Sequence, residues 1–481
     1  MPSVSPAAFA DTARYFDDWI SFRRRVDRVP GVQVAMLYDD QLVLSSAHGL
    51  ADVEAGTPLT TRHLFRIASH SKVFTATAIM QLVEQGRLRL DDEAGNWLDF
   101  LDGSPVAGVT IREMLSHSAG VVRDGWDGDF WQLFRPFPDA DELRRISLDA
   151  ADVLSRNERF KYSNISFSLL GLVVEAVTGR LYADYVTEHV VGRLELNDTG
   201  PDLDTARAHE YAIAYSALSY AERRLPIDPI ATGAMASATG FYSTASDVVR
   251  FAAAHFHGDT RLLSDDSKRL MQRTEWKVEG SANQSYGLGL AIADIKGRRL
   301  LGHGGGFPGN ITYTLFDPVD WLAVSVMTNA IDGPAQVMAT TAFRLLELAE
   351  RGDARQTGGE PERVSGIDST AFVGRYANLW TVFDIVELGG QLYQLDVVAA
   401  DPTADPQRLD IVDAHTLRIA DAPGYASPGE RLVFDRNDDG SVRSVRGGSA
   451  TTSFPLDRLA AAVAARERIT LGSPLVPSRR P

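Results

Sequence analysis

The stretch IASHSKVFTATAIMQLVEQG, residues 67–86, runs from a polar turn into an apolar segment. Its spacing predicts a helix over Val73–Gln85, with Gly86 as the stop. Val73, Phe74, Ala76, Ala78, Ile79, Met80, Leu82 and Val83 make that helix apolar and hence buried. Lys72 stands at its first turn, three residues after Ser69. The chain has 48 basic residues, of which only Lys72, Lys161, Lys268, Lys277 and Lys296 are lysine, so this one calls for a reason. Arginine stays protonated, whereas a desolvated lysine amine loses its proton and serves as a base. Residues i and i+3 share a helix face, so the amine reaches the serine hydroxyl. A weak alcohol beside a base is what nucleophilic catalysis needs. Ser-x-x-Lys occurs nowhere else in the chain. The alternative is a serine-capped polar helix start with a solvated lysine.

Working outward, Val32–Tyr38 and Gln41–Ser46 read as two strands joined by a two-aspartate turn. Ile111–Ser116, Ser166–Thr178 and Ser246–His255 read as helices. From Tyr286 the text turns strand-like (YGLGLAIADIKGRRLLGHGG, ITYTLFD, WLAVSVMTN), and Ala335–Glu350 returns to helix. Strands at both ends of a helical middle predict an α+β layout in which the terminal strands meet. Residues 352–366, rich in Gly, Pro and charge, read as a linker. Short β-like runs beyond them predict a small antiparallel barrel or sandwich. The expected organisation is therefore a first domain over 1–351, a linker over 352–366 and a β-domain over 367–481.

The 481 residues carry a net charge of −16 and no cysteine. Disulfides, thiolate nucleophiles and Cys-ligated metals are excluded, and a general nucleic-acid or anionic-membrane surface is disfavoured. No apolar run approaches the ~20 residues that span a bilayer. The N-terminal text lacks the basic-then-apolar pattern of a secretory signal. The expectation is a soluble, cytoplasmic protein.

Two further motifs stand beside Ser69 and Lys72. FKYSNISFSLLG holds Tyr162 and Asn164, and LGHGGGFPGN (301–310) holds His303, Gly304, Gly305 and Gly306. Glycines at a strand end let a substrate backbone approach. Alone, Tyr-x-Asn is a common loop pattern, and His303 reads as a satisfied surface histidine. The order Ser-x-x-Lys, Tyr-x-Asn, His-x-Gly, together with TIREMLSHSAG, ATGFYSTASDVVRF and YGLGL, resembles the serine β-lactamase-like superfamily. That group includes class C β-lactamases, D-aminopeptidases, family VIII esterases and penicillin-binding-protein-type hydrolases. The resemblance spans most of residues 30–330, and the β-domain resembles the lipocalin-like barrels that follow such domains.

The resemblance implies a layered α/β/α-type domain with an antiparallel sheet plus a small all-β barrel. It implies Ser69 as acylated nucleophile, Lys72 as base, and Tyr162 as phenolate or shared-proton base and then acid. Asn164 would bind Lys72 and the substrate amide. His303, Gly304, Gly305 and Gly306 would form the substrate-binding strand, with the Ser69 and Gly306 amides as oxyanion hole. His117 in the SHSAG motif would be structural. Histidine where β-lactamases carry a permanent lysine cation fits the esterase and D-aminopeptidase branches. The implied activity is hydrolysis of small esters or short peptides and amides, D-amino-acid-containing ones included, with no metal or organic cofactor and a small-molecule partner only. A penicillin-binding-protein-type thioesterase or peptide cyclase, a weak β-lactamase and a non-turnover acyl-binding module are the alternatives. The sequence leaves the oligomeric state open.

Two motifs resemble metal sites. In HFHGD (His255, His257, Asp259) the histidines suit a helix C-terminus better than zinc. In DRNDDG (435–440) the twelfth position is Arg446 rather than glutamate, so a hairpin turn fits better than a calcium loop.

Overall fold

Strand Gly31–Tyr38 is buried along nearly its whole length, because VQVAMLY is apolar on both faces. It lies inside a nine-stranded antiparallel sheet in the computed structural model, which describes residues 4–149, 153–357, 366–422, 427–447 and 451–466. In spatial order the strands are Thr57–Pro58, Gln41–Asp52, Gly31–Tyr38, Leu322–Thr328, Asn310–Asp317, Arg298–Phe307, Ala291–Ile295, Gln284–Tyr286 and Trp276–Lys277. Thus the first and last long strands meet, with Val34 opposite Val326. The hairpin turn uses Asp39 and Asp40, both at positive φ (49° and 60°), as a two-residue turn of this twist requires.

Helix Ser71–Glu84 is buried on all sides from Ser71 to Leu82. Gly86, at φ 67°, ends it and lets its N–H bond the Val83 carbonyl. Phe74 stacks between Phe241 (4.4 Å) and Phe251 (3.7 Å). Phe74→Ala is expected to destabilise the fold by about 3–5 kcal/mol, as a cavity in a core with no slack, and urea unfolding measures it. Helix Asn164–Thr178 starts where the Ser163 hydroxyl accepts the Ser166 N–H (3.0 Å) and ends at Gly179, at φ 69°.

Two compact units result: Asp27–Thr340 forms one, and Val4–Val26 groups with the residues from Thr341 onward in the other. Helix Pro6–Val26 therefore leaves the 1–351 grouping that linear reading gave it. In the second unit, Tyr15 donates to buried Asp384 (2.9 Å), and Arg375 bridges Asp384 and Asp18 (2.8 Å each) while covering the Phe22 ring. The linker expectation is also corrected at its start. Helix Ala335–Thr357 continues through 352–357, while 358–365 lie outside the described residues. Gly352 sits in that helix because a Cβ there would lie 2.6 Å from the Leu388 carbonyl oxygen. It is a point of close approach rather than a flexible joint.

The β-domain is a closed eight-stranded barrel. Gly374–Ala377 pairs with Thr451–Pro455 to close it. Phe372, Tyr376, Phe383, Ile385, Leu392, Leu409, Leu417 and Phe434 fill it. The DRNDDG stretch forms the hairpin between Arg431–Arg436 and Val442–Gly447. Among the described residues, no single helix is long and apolar enough to cross a membrane.

Candidate functional site

From Leu64 to Leu82, Ser69 is the one residue that is not buried. It sits in a tight turn, Ala68–His70, directly before helix Ser71–Glu84. Ala68 has φ 46°, a left-handed conformation uncommon for an alanine. The surroundings hold it there. Ser71 donates to the Ala68 carbonyl (2.5 Å) and accepts the Phe241 N–H (3.0 Å), and Ile67 donates to the Phe241 carbonyl (2.9 Å). Strain fixed by its neighbours in this way is typical of functional turns.

Lys72 is fully buried, and burial pushes its amine well below the usual lysine range. Its Nζ lies 2.7 Å from Asn164 Oδ1, 2.8 Å from the Ala238 carbonyl and 3.2 Å from Ser69 Oγ. A neutral amine has two protons and one lone pair. In that form the two acceptor-only neighbours take the protons, and the lone pair faces the Ser69 hydroxyl. On the other side of the serine, the Tyr162 hydroxyl donates to Ser69 Oγ (2.8 Å). Burial raises the phenol above its ordinary range, so the neutral phenol, not the phenolate, is the resting form.

Asn164 opens helix Asn164–Thr178 and is almost fully buried; its Nδ2 donates to Asp124 Oδ1 (2.6 Å). His117 stabilises this segment from below. Its Nδ1 accepts the Ser163 N–H (3.2 Å), its carbonyl accepts the Lys161 N–H (2.7 Å), and its ring packs 4.3 Å from that of Tyr162.

The glycine-rich segment lies on strand Arg298–Phe307. Pairing with Ala291–Ile295 stops at Gly302, whereas pairing with Asn310–Asp317 continues to Phe307. One edge of His303–Phe307 is therefore open, and Gly306 on it is exposed. A Cβ on Gly305 would sit 2.2 Å from the Ile67 carbonyl oxygen and 2.4 Å from Thr312 Oγ1, so only glycine lets this strand approach the turn that holds Ser69. His303 Nδ1 donates to the Gly304 carbonyl (2.7 Å), and its Nε2 accepts from the Tyr286 hydroxyl (3.0 Å). Burial pushes it down to about 3, so it presents a neutral ring and no cation.

The structure thus brings Ser69, Lys72, Tyr162 and Asn164 into one hydrogen-bonded cluster, with the Gly304–Gly306 edge running alongside the turn that holds Ser69. Sequence reading did not single out Asp124, the Ala238 carbonyl or Tyr286. Each meets its partner only through packing: Ala238 opens the ATGFYSTASDVVRF stretch and Tyr286 the YGLGL stretch, but neither motif says which group it faces, and no motif marks Asp124. His255 and His257 turn to different partners: His255 Nε2 donates to Thr77 (3.2 Å) and His257 Nε2 donates to Gln272 (2.8 Å).

A model of the family described as Beta-lactamase matches residues 16–349. Penicillin-binding protein 4* of Bacillus subtilis (strain 168) is 28% identical over 426 residues, covering 85% of this chain and 88% of its own. The octameric penicillin-binding protein homologue from Pyrococcus abyssi superposes with a TM-score of 0.63 at 22% identity, covering 92% of this chain and 99% of its own. A D-stereospecific amidohydrolase from Streptomyces sp. superposes with a TM-score of 0.59 at 24% identity, covering 69% and 98%. At these identities the two superpositions show the fold alone. With the family model spanning well over half of its residues, this chain belongs to the β-lactamase family of serine hydrolases.

Proposed function

We propose that the protein hydrolyses small esters or short amides and peptides, D-configured ones included, through an acyl-enzyme on Ser69. One observation carries this reading: Ser69 Oγ lies between the fully buried Lys72 amine at 3.2 Å and the Tyr162 hydroxyl at 2.8 Å. As Ser69 Oγ bonds the substrate carbonyl carbon, its proton moves to Lys72 Nζ and the carbonyl oxygen becomes an oxyanion. The Ser69 and Gly306 amides are the donors for that oxyanion. Tyr162 gives its proton to the leaving oxygen or nitrogen as the bond to carbon breaks, and the Lys72 ammonium restores it. Water then attacks the acyl carbon, loses a proton to the same pair, and Ser69 departs protonated.

The neutral His303 favours substrates without a carboxylate to anchor beside the glycine strand, hence esters and amides over β-lactams. The test is hydrolysis of p-nitrophenyl butyrate and D-alanine p-nitroanilide by wild type and Ser69→Ala. Wild type is expected to turn over at least one, and the alanine variant to lose about 10³-fold or more. Retained turnover in the variant would overturn Ser69 as nucleophile.

A further inference from the structure

The Asn164 amide stands between two groups of opposite character. Its Oδ1 faces Lys72 Nζ at 2.7 Å and its Nδ2 faces Asp124 Oδ1 at 2.6 Å. An ionised carboxylate only accepts hydrogen bonds. It therefore draws the amide NH₂ to itself and turns the amide oxygen onto the lysine; the flipped amide would face an oxygen with an oxygen. The placement of Asp124 is itself secured. Arg123 accepts the Asn164 and Ile165 N–H groups (2.8 and 3.2 Å) through its carbonyl, and Ser163 donates to the Val122 carbonyl (2.7 Å). These bonds pin Val122–Asp124 to the start of helix Asn164–Thr178.

On the acyl-enzyme reading above, we propose that Asp124 is a positioning residue for the base: it fixes the Asn164 amide with its oxygen on Lys72, and its negative charge stabilises the ammonium that forms when Lys72 takes the Ser69 proton. The role parallels that of a carboxylate behind a catalytic histidine, with an amide interposed.

The other groups around Lys72 set the sign of the effect. Arg123 is the opposing charge, with its Nε 3.2 Å from Asp124 Oδ2 and its guanidinium over the Tyr162 ring at 5.0 Å. His117 and His303 are held neutral by burial, as are the phenols of Tyr162 and Tyr286. Lys161 acts on His117 from the same segment as Tyr162. The rings of Tyr162 and Phe167, 4.8 and 5.6 Å from Nζ, also favour the ammonium. Asp124 raises the lysine and Arg123 lowers it.

The experiment follows modification of Ser69 by a fluorophosphonate as a function of pH, read by intact mass, for wild type, Asp124→Asn and Arg123→Gln, with Ser69→Ala as the blank. Asp124→Asn is expected to lower the plateau rate about tenfold, because a base whose conjugate acid is less stabilised is weaker. Its acid limb is expected to move to lower pH by about half a unit or more. Arg123→Gln is expected to move the limb the other way. A merely structural role would lower the plateau without shifts of opposite sign. If wild type forms no adduct that Ser69→Ala lacks, the acyl-enzyme reading falls and this proposal with it. If the adduct forms but Asp124→Asn keeps the limb and the plateau, the proposal alone is overturned. Circular dichroism melting checks that the variants fold; should Asp124→Asn not fold, an unmoved limb in Arg123→Gln overturns the proposal.

Discussion

Lys72→Arg is expected to slow acylation of Ser69 by about 10²- to 10⁴-fold, although the substitution keeps a basic residue. The reason is protonation rather than charge. Lys72 is fully buried, and burial holds its amine far below the ordinary lysine range. Guanidinium cannot be deprotonated in a protein, so it has no lone pair for the Ser69 proton. It is also too large for a slot bounded by Asn164 Oδ1 and the Ala238 carbonyl at 2.7 and 2.8 Å. Lys72→Met, equally inactive, is expected to melt higher than Lys72→Arg, because it buries no fixed charge. Wild-type kcat/KM is expected to rise with pH through a limb below the usual lysine range, since the amine works only when neutral. The limb falls away on the acid side, where Lys72 gains its proton. Stopped-flow release of p-nitrophenol from p-nitrophenyl butyrate measures the rates and the pH limb, and circular dichroism melting measures the difference in stability. Turnover of the arginine variant within tenfold of wild type would remove Lys72 from the base role.

Gly305→Ala is expected to lower kcat/KM by about 100-fold, the consequence of moving groups near the reaction by about 1 Å. The added carbon would meet the Ile67 carbonyl oxygen at 2.2 Å and Thr312 Oγ1 at 2.4 Å. Neither has room to give. Ile67 is fixed by its bond to Phe241 and precedes the left-handed Ala68, and Thr312 sits in the neighbouring strand opposite Gly305. The strand must therefore retreat from the turn that carries Ser69, at about 1–3 kcal/mol of overpacking. Gly306→Ala is the contrast. Its Cβ would come no closer than 3.6 Å to Ile311 Cδ1, so the fold is expected to keep its stability while the open edge gains a methyl. Equal activity of Gly305→Ala and wild type would show that the close approach is not needed.

How much of this was legible in the text depends on the distance over which each feature is written. Sequence alone determined the elements whose cause is local. The apolar run after Ser69 specified a buried helix, Gly86 its end, the two aspartates a tight hairpin, and the i, i+3 spacing the meeting of Ser69 and Lys72. The order of the three motifs carried the family and with it the layered fold, and the short β-like runs beyond the linker carried the barrel. Periodicity and spacing encode such features within a few residues, where chain geometry leaves little choice. Only the tertiary structure decided the rest. Asp124 meets Asn164 across 40 positions, the Ala238 carbonyl meets Lys72 across 166, and Tyr15 meets Asp384 across 369. Gly352 looked like linker composition and is a contact with the turn after Leu388. His303, read alone as a satisfied surface histidine, is satisfied but buried, with Gly304 and Tyr286 on its two nitrogens. In each case the partner is chosen by packing, and burial then sets the protonation state. Neither is written in the residues adjacent in sequence.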